Sequence, residues 1–300
     1  MSRKPILLTT LGIALLFATA WLVWRFFPAQ HAQNTEFDGQ RAYRDVQYQV
    51  SLGPRTPGSP GHAQQVEWMV AELQRAGWQT EVQEGEQAGQ PVRNVIATRG
   101  ALDPEAEWVV LGAHFDTRFF ADQDPDLARR QDPVPGANDG ASGTAVLLEL
   151  ARILPEDMER QVWLVFFDAE DNGNIPGWDW ILGSTFFVQQ LARQPDAAVI
   201  VDMIGDADLN IYLELNSDPR LSAAIWAQAA ALGYGEAFIP TPKYRILDDH
   251  IPFRNAGIPA LVIIDFDYPY WHTVADTADK VSASSLKIVG DTVLAWLTQP

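Results

Sequence analysis

The chain has 300 residues, 47% of them hydrophobic, which is enough for one large domain with a well-buried core. Its 39 acidic and 21 basic side chains give a formal net charge of -18, the wrong sign for gripping phosphates, so nucleic acid is excluded as a natural partner. Cysteine is absent, which rules out disulfides, thiolate metal sites and a cysteine nucleophile and leaves His, Asp and Glu as the only carriers of a metal.

In chain order, Ser2-Arg3-Lys4 precede an apolar run from Pro5 to Trp24, followed by Arg25-Phe26-Phe27-Pro28. A run of about 20 residues spans a bilayer core as a helix. Small residues do not occupy the cleavage positions between Pro28 and Gln33, so an uncleaved anchor is expected. With Arg3 and Lys4 held inside, the remainder lies on the extracytoplasmic side. Residues 1–36 are therefore expected to be membrane anchor and tether, and residues 37–300 the folded domain.

Helical spacing covers Phe37 to Leu52 and, after the turn-rich Gly53 to Gly61, His62 to Ala76. Apolar, β-branched stretches follow at Asn94 to Thr98, Trp108 to Ala113, Val162 to Phe167, Ala198 to Ile204 and Ala260 to Ile264, each continuous rather than alternating, as in strands buried on both faces. Helical patterns at Ser142 to Leu154, Ser184 to Ala192, Pro219 to Leu232 and Ser282 to Leu297 lie between and after them. The alternation predicts an α/β fold, a single open, mostly parallel sheet with helices on both faces. In such folds the ligand sits beyond the carboxyl ends of the strands.

Chemistry-bearing residues gather just past those ends: His114 and Asp116, then Asp168, Glu170 and Asp171, then Asp202, and later Asp265, Asp267 and His272. In His114-Phe115-Asp116 the two polar side chains share one side of an extended segment, so that one can bind a metal while the other orients it. Asp139 projects from the glycine-rich turn Gly136 to Gly143 at the start of a helix. Asp168-Ala169-Glu170-Asp171 closes a strongly apolar strand, and carboxylates crowded at a buried rim are costly unless a cation compensates or a proton is retained. Asp248-Asp249-His250 and Trp271-His272-Thr273 complete the candidates.

These ordered motifs, together with Arg55-Thr56-Pro57-Gly58-Ser59-Pro60-Gly61, resemble the M28 family of zinc peptidases and, within it, the glutaminyl cyclase branch, over about residues 37 to 299. The resemblance implies a zinc-exopeptidase-like fold and a metal site of Asp139, Asp171 and His272, with Glu170 as general acid and base. In the peptidases a second zinc takes His114 and Asp202, with Asp139 bridging. The cyclases work with one. Peptidases commonly carry Ser-Asp-His where this chain has Asp248-Asp249-His250, and a carboxyl at Asp248 sharing a proton with Asp202 would remove the charge a second metal requires. Trp271 before His272 matches the cyclase ending, and Trp178 and Trp180 are expected to wall a pocket for a glutamine side chain. Glu170-Asp171 departs from the family's usual Glu-Glu, leaving the ligand one methylene shorter. The resemblance implies a zinc-dependent glutaminyl-peptide cyclotransferase, with Glu170, Asp202 and Asp248 catalytic, acting on the N-termini of peptides or proteins. The alternative is an M28-type aminopeptidase with two zinc ions.

Overall fold

The apolar runs form the central strands of a six-stranded sheet in the computed structural model, which describes residues 36–100 and 105–299. The apolar run over 5–24 lies outside the described residues, and among those described no helix is long and apolar enough to cross a membrane. In chain order the elements are α1 Gly39–Ser51, α2 Pro60–Arg75, β1 Gln79–Gln87, β2 Gln90–Arg99, β3 Trp108–His114, α3 Ala141–Ile153, β4 Gln161–Phe167, α4 Leu182–Gln189, β5 Ala197–Asp202, β6 Ile211–Glu214, α5 Pro219–Ala231, β7 Phe238–Tyr244, α6 His250–Asn255, β8 Ala260–Ile264 and α7 Ala283–Leu297.

The large sheet runs β1-β2-β4-β3-β5-β8. Its β4, β3, β5 and β8 are parallel, whereas β1 and β2 join by antiparallel pairing. Every residue of β3, β5 and β8 is buried, as their unbroken apolar sequences require of strands covered on both faces. Alternation then sorts the side chains. Val109, Leu111 and Ala113 pack with α1, α2, α3, α5 and α7 on one face, and Trp108 and Val110 pack with Phe187 of α4 and Phe253 of α6 on the other. Each fully buried aliphatic side chain in these layers contributes about 1.5–3 kcal/mol.

Helix starts follow local chemistry. Asp38 accepts a hydrogen bond from the Arg41 N–H, Ser59 from His62 and Asp218 from Arg220 and Leu221, with Pro60 and Pro219 in the first turns they precede.

Three strands and one helix escape the sequence pattern. The edge strand β1 is largely exposed and polar, and β6 pairs only with β7, in parallel, as a separate two-stranded sheet. The short α6 occupies the segment expected only to supply polar candidates. The strand expected to reach Ile204 stops at Asp202, because Met203 takes φ +45°. That turn leaves Asp202 at the sheet's carboxyl edge, between the ends of β3 and β8.

Candidate metal centre and active site

Five separate segments supply the site. His114 closes β3, Asp139 lies two residues before α3, Glu170 and Asp171 follow β4, Asp202 closes β5, and His272 sits in the loop after β8. The structure brings them into two groups that share Asp139: His114, Asp139 and Asp202, and Asp139, Asp171 and His272, each with donor atoms within 4.8 Å of one another and all buried. In the first, His114 Nε2 is 3.1 Å from Oδ1 of both Asp139 and Asp202. In the second, His272 Nε2 is 2.7 Å from Asp171 Oδ1 and 3.7 Å from Asp139 Oδ2.

Two carboxylates with one imidazole form a donor set suited to a borderline cation such as zinc. A further observation fits that chemistry. Asp139 Oδ2 and Asp171 Oδ2 are buried with no hydrogen-bond partner, which is costly for a carboxylate unless a cation faces it.

The electrostatics carry the same imprint. Burial, and then Asp139 beside it, push Asp171 up to about 6. Burial opposes ionisation of His272, yet Asp171, Asp122 and Asp139 outweigh it and lift the imidazole to about 9. His114 is likewise raised well above its ordinary value, because Asp202, Asp116 and Asp139 overcome its desolvation. Glu170 is held well above the carboxylate range by burial and by Asp249, Asp171 and Asp248. Burial, Asp202 and Asp249 do the same to Asp248, and burial lifts Asp249 to about 7.

A buried scaffold fixes the loops. Asp116 accepts from the N–H groups of Glu170 at 3.0 Å and Asp171 at 3.4 Å, and from Asn172 Nδ2 at 3.1 Å. Asp276 accepts from Asn138 N at 2.8 Å, Asp139 N at 3.2 Å and the Tyr268 hydroxyl at 2.6 Å. Arg55 is wholly buried and donates to the carbonyls of Phe115, Pro135 and Gly136, tying the end of β3 to the turn that bears Asp139. Gly140 is required there, since a Cβ would sit 2.6 Å from His114 Cε1 and 2.8 Å from the His114 carbonyl oxygen. Ala169, Met203 and His272 hold φ between +45° and +55° at the rim, each at a cost of about 1–2 kcal/mol for a residue with a Cβ.

A cavity of about 250 Å³ opens over these groups, with Glu170, Asp202 and Asp248 polar and Trp180, Phe266 and Trp271 apolar among its lining. Trp271 stacks on the His272 ring at 3.7 Å, and Trp180 lies parallel to the same ring at 6.0 Å. Trp178 does not line this cavity. It meets Phe119 edge-on at 5.1 Å and packs against Val92, Ala169 and Leu182. Asp168 also stays apart: it faces His62 Nε2 at 2.7 Å and accepts from Arg93 N. Asp265 and Asp267 serve the Asn210 N–H and Lys243 respectively, and His250 lies 3.2 Å from Glu214. The lining residues Tyr244 and Phe266 were missed, as were Arg55, Asp122 and Asp276 behind the site. Only Arg55 sat in a motif that had drawn notice.

A mixed sheet with clustered carboxylates and histidines at its carboxyl edge defines a zinc-exopeptidase-like α/β protein. A Zn-dependent exopeptidase from Parabacteroides distasonis is similar, with TM-score 0.81 and 31% identity over 88% of this chain and 99% of that one. The chain belongs to peptidase family M28, whose model matches residues 94–297. It is also similar to the Porphyromonas gingivalis glutaminyl cyclase, with TM-score 0.80 and 36% identity over 87% of this chain and 98% of that one. Among curated relatives, the Bos taurus glutaminyl-peptide cyclotransferase-like protein is 26% identical over 91% of this chain and 84% of its own length. Aminopeptidase YwaD of Bacillus subtilis (strain 168) is 25% identical over 89% of this chain, which spans 58% of that relative's length.

Proposed function

We propose that the chain is a zinc-dependent glutaminyl-peptide cyclotransferase, closing the N-terminal glutamine of peptides to pyroglutamate with release of ammonia. The observation that carries this is the convergence of Asp139, Asp171 and His272 at a cavity whose lining includes Asp139, Glu170 and Asp171 with Trp180 and Trp271. Likeness to proteins described as glutaminyl cyclases supports it. Asp139, Asp171 and His272 would hold the zinc, which when bound supplies Lewis acidity toward the γ-carboxamide carbonyl.

The protein's own groups do the rest. The α-amine attacks the γ-carboxamide carbon, the ring C–N bond forms, and the original C–N bond breaks to free ammonia. Glu170 takes the proton that the amine loses and returns one to the departing nitrogen. Its elevated proton affinity suits both halves of that exchange. Asp202 and Asp248 line the cavity and hold the amine. Trp180 and Trp271 wall the methylenes of a folded glutamine, and fixing that conformer is the main demand of an intramolecular closure.

The second reading, an aminopeptidase with a second cation on His114, Asp139 and Asp202, is favoured by the proximity of those three donors. Against it stands Asp248, whose proton affinity burial and the neighbouring Asp202 raise well above the carboxylate range, where a second cation would need free charge. Incubation with a Gln-initiated peptide separates the two: ammonia release with the chain intact supports cyclisation, and free amino acids support hydrolysis. One bound zinc against two is an independent vote, and a chelator should abolish either activity. The run from Pro5 to Trp24 would tether the enzyme with its active site on the extracytoplasmic side, a placement that release from membranes by salt alone would disprove.

A further inference from the structure

We infer that Arg118 is a positioning residue that sets the reach of Asp171 and the orientation of His272 together, a role that rests on the assignment of those two as zinc ligands. Arg118 is 2% exposed and is not among the residues that line the cavity. Its Nη1 donates to the Asp171 carbonyl oxygen at 2.7 Å, and its Nη2 to the Gly173 carbonyl oxygen at 3.2 Å. Its other edge grips Asp122 bidentately, Nε to Oδ1 at 3.1 Å and Nη2 to Oδ2 at 2.6 Å. The guanidinium plane also lies over Trp180 at 5.0 Å.

These contacts have a geometric consequence at the site. Aspartate has one methylene between backbone and carboxylate, so the place of its oxygens is dictated by where its backbone is held. Arg118 holds that backbone by the carbonyl, and Asp171 Oδ1 arrives 2.7 Å from His272 Nε2. On the far side of the imidazole, Asp122 Oδ1 stands 3.5 Å from His272 Nδ1. A carboxylate there favours the proton on Nδ1 and leaves Nε2 with a lone pair toward the cation. One planar fork therefore supports both ligands, one through a main-chain carbonyl and one through a carboxylate. A lysine ammonium, a single point charge on a flexible stem, cannot span both.

The test is zinc affinity of the full chain, measured by competition with a chromophoric chelator, for the parent, Arg118→Lys, Asp171→Glu and the double variant. Arg118→Lys should weaken zinc by about 10- to 100-fold. Asp171→Glu should also weaken it, since the longer side chain overshoots while its carbonyl stays pinned. In the double variant the freed loop can draw back, so the combined loss should fall short of the product of the two by about fivefold or more. Affinity of Arg118→Lys indistinguishable from the parent, or losses that simply multiply, would overturn the positioning role while leaving the ligands intact. A parent that binds no zinc would overturn the ligand assignment and this role together. If Arg118→Lys does not fold, Asp122→Asn and Asp171→Glu keep the guanidinium, and unchanged affinity in both refutes the proposal.

Discussion

Glu170→Gln isolates the proposed proton carrier without altering the shape of the cavity. The Glu170 main chain is already fixed, its N–H by Asp116 Oδ1 at 3.0 Å and its carbonyl by Ile181 N at 3.0 Å, so an amide side chain leaves the loop in place. Loss of a general acid and base costs about 100- to 10,000-fold in rate. At about 1.4 kcal/mol per tenfold, that is about 3–5 kcal/mol of barrier. The loss should fall on kcat, with KM little changed, because Trp180 and Trp271 still wall the substrate. Stability should move the other way. The folded protein holds the Glu170 proton to higher pH than the unfolded chain, so its contribution is present at low pH and is lost as pH rises through the folded value. The amide removes that loss, and the variant should melt no lower than the parent at neutral pH and higher toward alkaline pH. Ammonia release from a Gln-initiated peptide gives the kinetics and scanning calorimetry the melting. Turnover within about tenfold of the parent would take Glu170 out of the proton path.

Trp180→Ala should raise KM for Gln-initiated peptides, whereas Trp178→Ala should leave KM unchanged and lower stability by about 1–3 kcal/mol, as denaturant unfolding will show. The opposite pattern would restore Trp178 to the pocket. Asp248→Ser should admit a second zinc at His114, Asp139 and Asp202 under zinc excess, and an unchanged stoichiometry by elemental analysis would refute the protonated-carboxyl argument. Against burial, contact with His250 and the N–H groups of Ile246 and Asn216 hold Glu214 down at about 2. Its stabilising effect is therefore full above the unfolded carboxylate pKa of about 4.3 and is lost as pH falls toward the folded value. Glu214→Gln should be less stable than the parent at neutral pH and should lose less on acidification, and parallel urea-unfolding curves at both pH values would contradict this.

The central strands were legible because β3, β4, β5 and β8 are buried by sequence: their apolar runs have no solvent face to alternate with. Strand β1 was not, since Gln79–Gln87 carries Gln and Glu on both sides and owes its conformation to pairing with β2. Strands β6 and β7 escaped for a related reason, being short or interrupted by Pro240 and Pro242. Residues at the candidate site stood out because carboxylates and histidines directly after apolar strands are chemically unexpected. Arg55 and Arg118 did not, because a buried arginine in a turn has the same local sequence as an exposed one, and only the carbonyls that converge on it reveal its place. Trp178 and Trp180 were both expected to wall the pocket for a glutamine side chain. Gly177 at φ +87° and Ile181 at φ +54° turn the chain on either side of the pair, and of the two Trp180 is among the residues that line the cavity.

Asp139 belongs to both triads, and its turn is locked by Asp276, Arg55 and the glycine that clears His114. A relative of this protein cannot acquire or abandon a second metal by sliding that aspartate, because any shift that improves one half of the site spoils the other. Drift between one-ion and two-ion chemistry would then be channelled to neighbouring residues such as Asp248, where a single side chain can change the charge balance while the shared hinge stays still.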